Sequence, residues 1–198
     1  GAQEADYIYH GVRQAVPLGE TPSLILDIGG GSNEFILCTR DQVLWKHSFD
    51  LGMARILEQF PISDPITALE QQLLESFYTK ELTLLSNQCE RHRPDTLIGA
   101  SGTFDTFRAM HVHLRKLQSD PAPGREIPLE DYREIHHALL ASTREERKTM
   151  PGMEPVRVEM IVPATIFVNF VIRHNRLNRL MQSDYALKEG VIASRMNL

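Results

Sequence analysis

The chain has 198 residues, 42% of them hydrophobic and 24% charged, with a formal net charge of −5. That length suits one large domain, or one and a half small ones, with enough apolar material for a real core. The mild negative charge argues against non-specific nucleic-acid binding as the main activity, although a local basic groove stays open.

In chain order, residues 3–15 read as a helix with Tyr7, Ile8 and Val12 on one side, followed by a turn over 17–22. Three strand-like runs then come in quick succession, 23–27, 34–39 and 42–50, the last two joined tightly at Arg40-Asp41, which predicts an antiparallel meander. A short helix over 52–60 and a turn over 61–65 lead into one long amphipathic helix over 66–91, with Leu69, Leu73, Phe77 and Leu84 near one face. A buried strand over 95–99 opens a helix over 104–117. Residues 119–128 read as a Pro/Gly-rich mobile loop, 129–143 as a helix, and 144–155 as charged and then turn-like. The stretch 156–180 holds a second long helix. Residues 183–190 begin as a strand or turn and end in a short C-terminal helix.

Cys38 and Cys89 have no metal-ligand spacing between them and read as reduced, largely buried thiols of a cytoplasmic protein. No signal peptide or membrane span is expected. The longest apolar stretch, 161–172, contains Pro163 and Asn169, is too short to cross a bilayer, and reads as a core helix. Because the helix over 3–15 has no lead-in, residues upstream are expected to be encoded elsewhere or removed.

The most specific segment is Asp27-Ile-Gly-Gly-Gly-Ser-Asn-Glu34, standing between two apolar runs. A P-loop would need a lysine after its glycines, and a Rossmann fingerprint would open a helix; here a strand follows. The segment therefore reads as a β-hairpin whose turn, Gly29-Gly30-Gly31-Ser32-Asn33, brings successive N–H groups close to a phosphate. Asp27 and Glu34 flank it and suit a divalent cation or an activated water. The plain alternative is an ordinary Gly-rich hairpin turn. A second candidate, Gly99-Ala100-Ser101-Gly102-Thr103, lies between a buried strand and a helix, where free N–H groups make an anion site. Its plain alternative is an N-cap in a tight turn.

Together these segments resemble the exopolyphosphatase / guanosine pentaphosphate phosphohydrolase family of the actin-like ATPase superfamily. Gly1-Ala-Gln-Glu-Ala5 is similar to the family's Ser-Gly-x-x-Glu-Ala, and Asp27–Glu34 to Asp-Ile-Gly-Gly-Gly-Ser-Thr-Glu. Gly99–Thr103 is similar to Gly-Thr/Ala-Ser-Gly-Thr, and Ser183-Asp-Tyr-Ala-Leu-Lys-Glu-Gly190 to Ser-x-x-Gly-Leu-Arg-Glu-Gly. The resemblance implies an α/β, ribonuclease-H-like (actin-like ATPase) fold: a mixed sheet with an antiparallel three-strand meander flanked by helices. It also implies hydrolysis of the terminal phosphoanhydride of inorganic polyphosphate, or of guanosine pentaphosphate (pppGpp), with Mg²⁺ or another divalent cation. Glu4 would orient or deprotonate the water. Asp27 and Glu34 would bind the cation or help position the water. Gly29, Gly30, Gly31 and Ser32, with Gly99, Ala100, Ser101 and Gly102, would contact phosphate. Arg55, in a segment similar to Leu-Gly-x-x-Arg, would reach phosphate or form a helix salt bridge.

Several positions depart from the family pattern. Asn33 replaces a Thr and keeps a hydrogen-bonding side chain. Ala186 replaces a glycine, and Arg157-Val-Glu159 stands where Arg-x-Asp is usual. The family's first lobe, with its own Asp-x-Gly-Ser-Asn hairpin, is absent. Residues 1–198 therefore read as the second lobe alone, with a core over 1–118 and a C-terminal helical part over 129–198. Glu4 then lies at a terminus where fraying is expected, and the chain alone is expected to bind phosphate weakly and to turn over slowly or not at all. The partners expected are polyphosphate or guanosine pentaphosphate, the first lobe and a homodimer, with no DNA and no membrane.

Other groups carry less. His111 and His113 point to different sides of a helix, against a metal site. His136 and His137 suit surface or packing roles, Trp45 the sheet, and Arg173, Arg176 and Arg179 a solvated basic stripe at helical spacing or a polyphosphate-tracking face. The alternative function is a non-catalytic phosphate- or nucleotide-binding regulator. A sugar-kinase-like lobe is disfavoured because Glu4 and the last motif match the hydrolases better.

Overall fold

In the protein's structure, a computed structural model that describes residues 2–118 and 122–195, six strands form one sheet. The elements are α1 (Ala2–Ala15), β1 (Ser23–Ile28), β2 (Asn33–Cys38), β3 (Val43–Phe49), α2 (Met53–Gln59), α3 (Ala68–Glu81), α4 (Thr83–His92), β4 (Thr96–Gly99) and α5 (Gly102–Arg115). Then follow β5 (Gly124–Ile127), α6 (Leu129–Ala141), α7 (Arg144–Thr149), a 3₁₀ turn (Pro155–Arg157), α8 (Ile161–His174), β6 (Arg179–Ser183) and α9 (Leu187–Arg195). Strand order is β3-β2-β1-β4-β6-β5. The meander β1-β2-β3 is antiparallel, β1, β4 and β6 are parallel, and β5 runs antiparallel to β6.

Strand periodicity sorts the core into two layers. Leu24, Leu26 and Ile28, with Phe35 and Leu37, face α2 to α6 and α8. Ile25, Ile36, Cys38 and Ile98 face the other way, against Ala5, Ile8, Tyr9 and Val12 of α1. By the same alternation Asp27 shares the face of Ile25, and Glu34 that of Ile36. Both acids therefore lie on the side that α1 covers. The twelve residues from Ile161 to Ile172 of α8 are all buried, which makes it the central core helix; among the described residues no helix is long and apolar enough to cross a membrane. Cys38 and Cys89 are buried free thiols, and burial pushes both up to about 12, so they stay protonated and unreactive.

Some expectations change. The helix predicted over 66–91 is two helices that break at Leu82, and its buried face carries Leu74, Tyr78, Leu85 and Cys89. Leu69, Leu73 and Leu84 are instead exposed. Both leucine rows have helical spacing, and only the position of α8 selects between them. The loop expected over 119–128 contains the edge strand β5, paired to β6; its expected mobile start, 119–121, falls outside the described residues, as does Gly1. Residues 144–149 form α7, started by a Thr143–Glu146 capping box. Arg173, Arg176 and Arg179 form no helical stripe. Arg173 ends α8, Arg176 is left-handed at φ 55, and Arg179 lies in β6 paired with Glu126. The part expected to be helical over 129–198 also contributes β6 to the sheet, between β4 and the edge strand β5.

Candidate functional site

The parallel strands β1, β4 and β6 end side by side at Ile28, Gly99 and Ser183. Ligands of open α/β sheets bind outside the carboxyl ends of such strands, where chain leaves in different directions. Both Gly-rich segments are at that end.

In the first turn the Gly29 N–H donates to the Ser32 carbonyl at 2.9 Å. The carbonyls of Gly31, Gly29 and Gly30 accept from the N–H groups of Gly52, Met53 and Ala54 at 3.2, 3.0 and 3.0 Å. The N-terminus of α2 is therefore engaged by the turn itself. A Cβ on Gly52 would lie 2.3 Å from the Gly30 carbonyl, and one on Gly29 would lie 2.7 Å from the Ser32 oxygen, so packing demands glycine at both. Gly30 and Gly31 differ: a Cβ there meets nothing nearer than 4.0 Å, and neither adopts a left-handed φ. Among the described residues their N–H groups have no acceptor, so they are free for an anion. Arg55 lies beside Gly31, exposed and 3.8 Å from Asp50.

The acids meet beneath this turn. Asp27 and Glu34 are directly paired across β1 and β2. Glu34 is 5% exposed, and its Oε1 accepts from the hydroxyls of Ser32 and Ser48, both at 2.7 Å. Burial, then the charges of Glu34 and Glu4, push the Asp27 carboxyl up to about 7, with Arg157 opposing. Glu4 comes from the first turn of α1. Two glycines set where α1 lies: a Cβ on Gly11 would sit 2.0 Å from the Ala186 oxygen, and one on Gly190 would sit 1.6 Å from the Tyr7 oxygen. Lys46 of β3 also pairs with Asp6 at 2.5 Å. The last motif therefore acts at a helix crossing.

The second turn is joined to the first. The Ala100 N–H donates to the Leu26 carbonyl at 3.0 Å, and the Ile28 N–H donates to Ser101 Oγ at 3.3 Å. Ser101 is the N-cap of α5 by position, but its hydroxyl makes no cap bond. A Cβ on Gly102 would lie 2.0 Å from Arg157 Nη2, so that guanidinium rests on the start of α5. Its Nε is buried with no hydrogen-bond partner among the described residues. Asp105, pushed up by desolvation, accepts from Gln182 Nε2 at 2.7 Å, which ties β6 to α5.

The structure thus gathers Glu4, Asp27, Glu34, Gly30, Gly31, Ser32, Ser101, Gly102 and Arg55 at one end of the sheet. Three residues of the expected phosphate set have structural roles of their own. Asn33 is fully buried and donates to the Leu51 carbonyl at 2.7 Å, so its side chain anchors the turn. Gly99 is glycine because a Cβ would lie 2.0 Å from the Phe104 ring, and Ala100 is 2% exposed. Ser48 and the placement of Arg157 were not anticipated. The alternation Lys46-His-Ser48 and the Arg157-Val-Glu159 segment were the visible signals. Glu159 itself turns away to Arg144. A cavity of about 740 Å³, lined among others by Cys89, Arg93, Asp95, His174 and Arg176, adjoins the opposite ends of β4 and β6 and contains none of these residues.

The model of the Ppx/GppA phosphatase family matches residues 1–198. Exopolyphosphatase 2 of Mycobacterium tuberculosis (strain CDC 1551 / Oshkosh) is 25% identical over 198 residues, which is 98% of this chain and 62% of that protein. The structure of an exopolyphosphatase from Cytophaga hutchinsonii ATCC 33406 superposes with a TM-score of 0.96 at 35% identity, over 100% of this chain and 64% of that one. The Aquifex aeolicus PPX-GPPA enzyme superposes with a TM-score of 0.84 at 25% identity, over 97% of this chain and 62% of that one. The fold is accordingly the actin-like ATPase type. The chain spans less than two thirds of the length of each relative.

Proposed function

The chain belongs to the Ppx/GppA phosphatase family, and on that premise we propose that it supplies one wall of the active site of a phosphoanhydride hydrolase. The substrate is the terminal anhydride of inorganic polyphosphate or of pppGpp. The observation that carries this reading is the cluster of Glu4, Asp27 and Glu34 beside the open Gly30-Gly31 turn, with the Gly-rich start of α5 and Arg157 next to it.

Phosphoryl transfer to water needs held phosphates, neutralised charge and a positioned nucleophile. The Gly30 and Gly31 N–H groups and the start of α5 hold phosphate oxygens, while Arg157 and Arg55 offset their charge. Glu4 accepts the hydrogen bond that orients the attacking water, and takes its proton as the new oxygen–phosphorus bond forms and the bridging P–O bond of the anhydride breaks, the shortened phosphate chain or nucleotide leaving with the bridging oxygen.

Asp27 and Glu34 fit a divalent cation: burial first, and then the charges of Glu34 and Glu4, raise Asp27, and a bound cation would offset that repulsion. Among the described residues no group of three or more His, Cys, Asp or Glu side chains is spaced to hold a metal ion. Two carboxylates with water and substrate oxygens match the way Mg²⁺ is bound beside phosphates. When bound, the cation would polarise the phosphoryl oxygens. The opposite wall of the cleft is proposed to come from a first lobe, and this chain alone to turn over slowly.

The test is phosphate release by the full-length protein from polyphosphate, pppGpp and ATP with Mg²⁺, comparing wild type with Glu4→Ala. Release from polyphosphate or pppGpp should fall by about 10²–10⁴ in the variant. Unchanged release would remove Glu4 from the mechanism.

A further inference from the structure

We infer that Arg147 is a positioning residue for Arg157. It holds the site guanidinium over Gly102 through a buried clamp on the segment between α7 and α8. The inference rests on Arg157 serving the phosphate site as proposed above.

Arg157 projects from a single 3₁₀ turn, which by itself would not hold a long side chain in place. The neighbouring residue supplies the restraint. Val158 is 4% exposed, and its carbonyl accepts from Arg147 Nε at 3.2 Å. The same guanidinium donates from Nη1 to the Ser142 carbonyl at 2.6 Å and from Nη2 to Asp64 Oδ1 at 2.9 Å. Its side chain is only 7% exposed. One planar fork therefore joins the end of α6, the exit of the 3₁₀ turn and the loop before α3.

The outer carboxylate oxygen is engaged too. Asp64 Oδ2 accepts from the Arg144 N–H at 2.7 Å, and Arg144 pairs in turn with Glu159. Hydrogen bonds from Arg144 and Arg147 hold the Asp64 carboxyl below its usual range, so it is ionised near neutrality. At the far side of the strap Gly152 adopts φ +86, and a Cβ there would lie 2.5 Å from the Met110 nitrogen of α5. The strap is thus pressed onto the helix whose N-terminus Arg157 covers. A buried guanidinium is a costly way to join three loops when apolar packing would serve. Its fixed geometry suits a task in which one backbone turn must be held in register.

The experiment uses Asp64→Asn, Arg147→Lys, Arg157→Gln and the Asp64→Asn/Arg157→Gln double variant of the full-length protein. Asp64 is the milder site because its side chain is 43% exposed. The readouts are tripolyphosphate affinity by calorimetry, thermal midpoint, and the Arg157 Nε–H resonance in ¹⁵N-labelled protein. Arg157→Gln should weaken tripolyphosphate binding about tenfold, and Asp64→Asn about threefold. Asp64→Asn should have no further effect on affinity in the Arg157→Gln background, while its loss of thermal midpoint persists in both. The Arg157 resonance should shift in Asp64→Asn and in Arg147→Lys. An unshifted resonance, or an Asp64→Asn effect on affinity of equal size in both backgrounds, overturns the inference and leaves Arg147 a structural residue. An Arg157→Gln variant with unchanged affinity overturns the phosphate role of Arg157 itself, and with it the purpose of the clamp. That failure is distinguishable because it appears without any Asp64 change.

Discussion

The backbone N–H of Ile28 donates to the hydroxyl of Ser101 at 3.3 Å, so the last residue of β1 and the first turn position before α5 are held together directly. The two Gly-rich turns are therefore one unit. Ser101→Ala leaves the nearly buried Ile28 N–H without its acceptor, which costs about 1–2 kcal/mol. Urea unfolding should show that loss, and tripolyphosphate affinity should fall with it, while Ser101→Thr restores both.

Glycines in the first turn divide by physical cause. Gly30→Ala should fold with a near-wild-type midpoint, because the new Cβ meets only Ala54 at 4.0 Å. It should still weaken tripolyphosphate binding, since the methyl occupies space a ligand would use. Gly52→Ala should behave in the opposite sense, losing about 2–4 kcal/mol of stability because the Cβ would lie 2.3 Å from backbone. Paired calorimetry and thermal melts separate the two.

Asp27 predicts a pH dependence of stability. Its carboxyl titrates at about 7 in the folded protein, raised by burial and then by Glu34 and Glu4, and at an ordinary 3.8 when solvated in the unfolded chain. The folded state thus holds the proton more tightly, and this group's contribution is fully present at low pH and lost as pH rises through about 7. Asp27→Asn should match wild type in thermal midpoint near pH 4 and exceed it at pH 8. Mg²⁺ should raise the wild-type midpoint more at pH 8 than at pH 5, and should do little for Asp27→Asn.

Gly190→Ala should act on the site from a distance. Its Cβ would lie 1.6 Å from the Tyr7 oxygen, so α9 and α1 must part. Because α1 carries Glu4, phosphate release should fall through kcat with KM little changed, alongside a lower thermal midpoint. Full activity in a destabilised Gly190→Ala protein would show that α1 need not be held so closely.

Much was readable from spacing. The apolar runs around Asp27–Glu34 predict the β1-β2 hairpin with an acid on each side of its turn, and the register seen in the structure pairs Asp27 with Glu34 on one face. The burial of α8 is foreshadowed by its apolar length. Less readable were features with two local solutions. Leu69 and Leu73 have the same helical spacing as Leu74 and Tyr78, and β5 has too short a run between Pro and Gly residues to stand out. Arg157 was legible only as a segment, because its closeness to Gly102 depends on a strap folded back from more than fifty residues away.

The sequence by itself determined the local chemistry: two glycine turns after apolar strands, and acids flanking the first. Such features depend on neighbours a few residues apart, which dihedral preference and side-chain alternation decide. Only the tertiary structure decided that Glu4 reaches Asp27, that Ser101 serves Ile28 rather than its own helix, and that Arg157 rests on Gly102. Those relations follow from how helices pack on the sheet, and packing is set by long-range burial that no short stretch of sequence encodes.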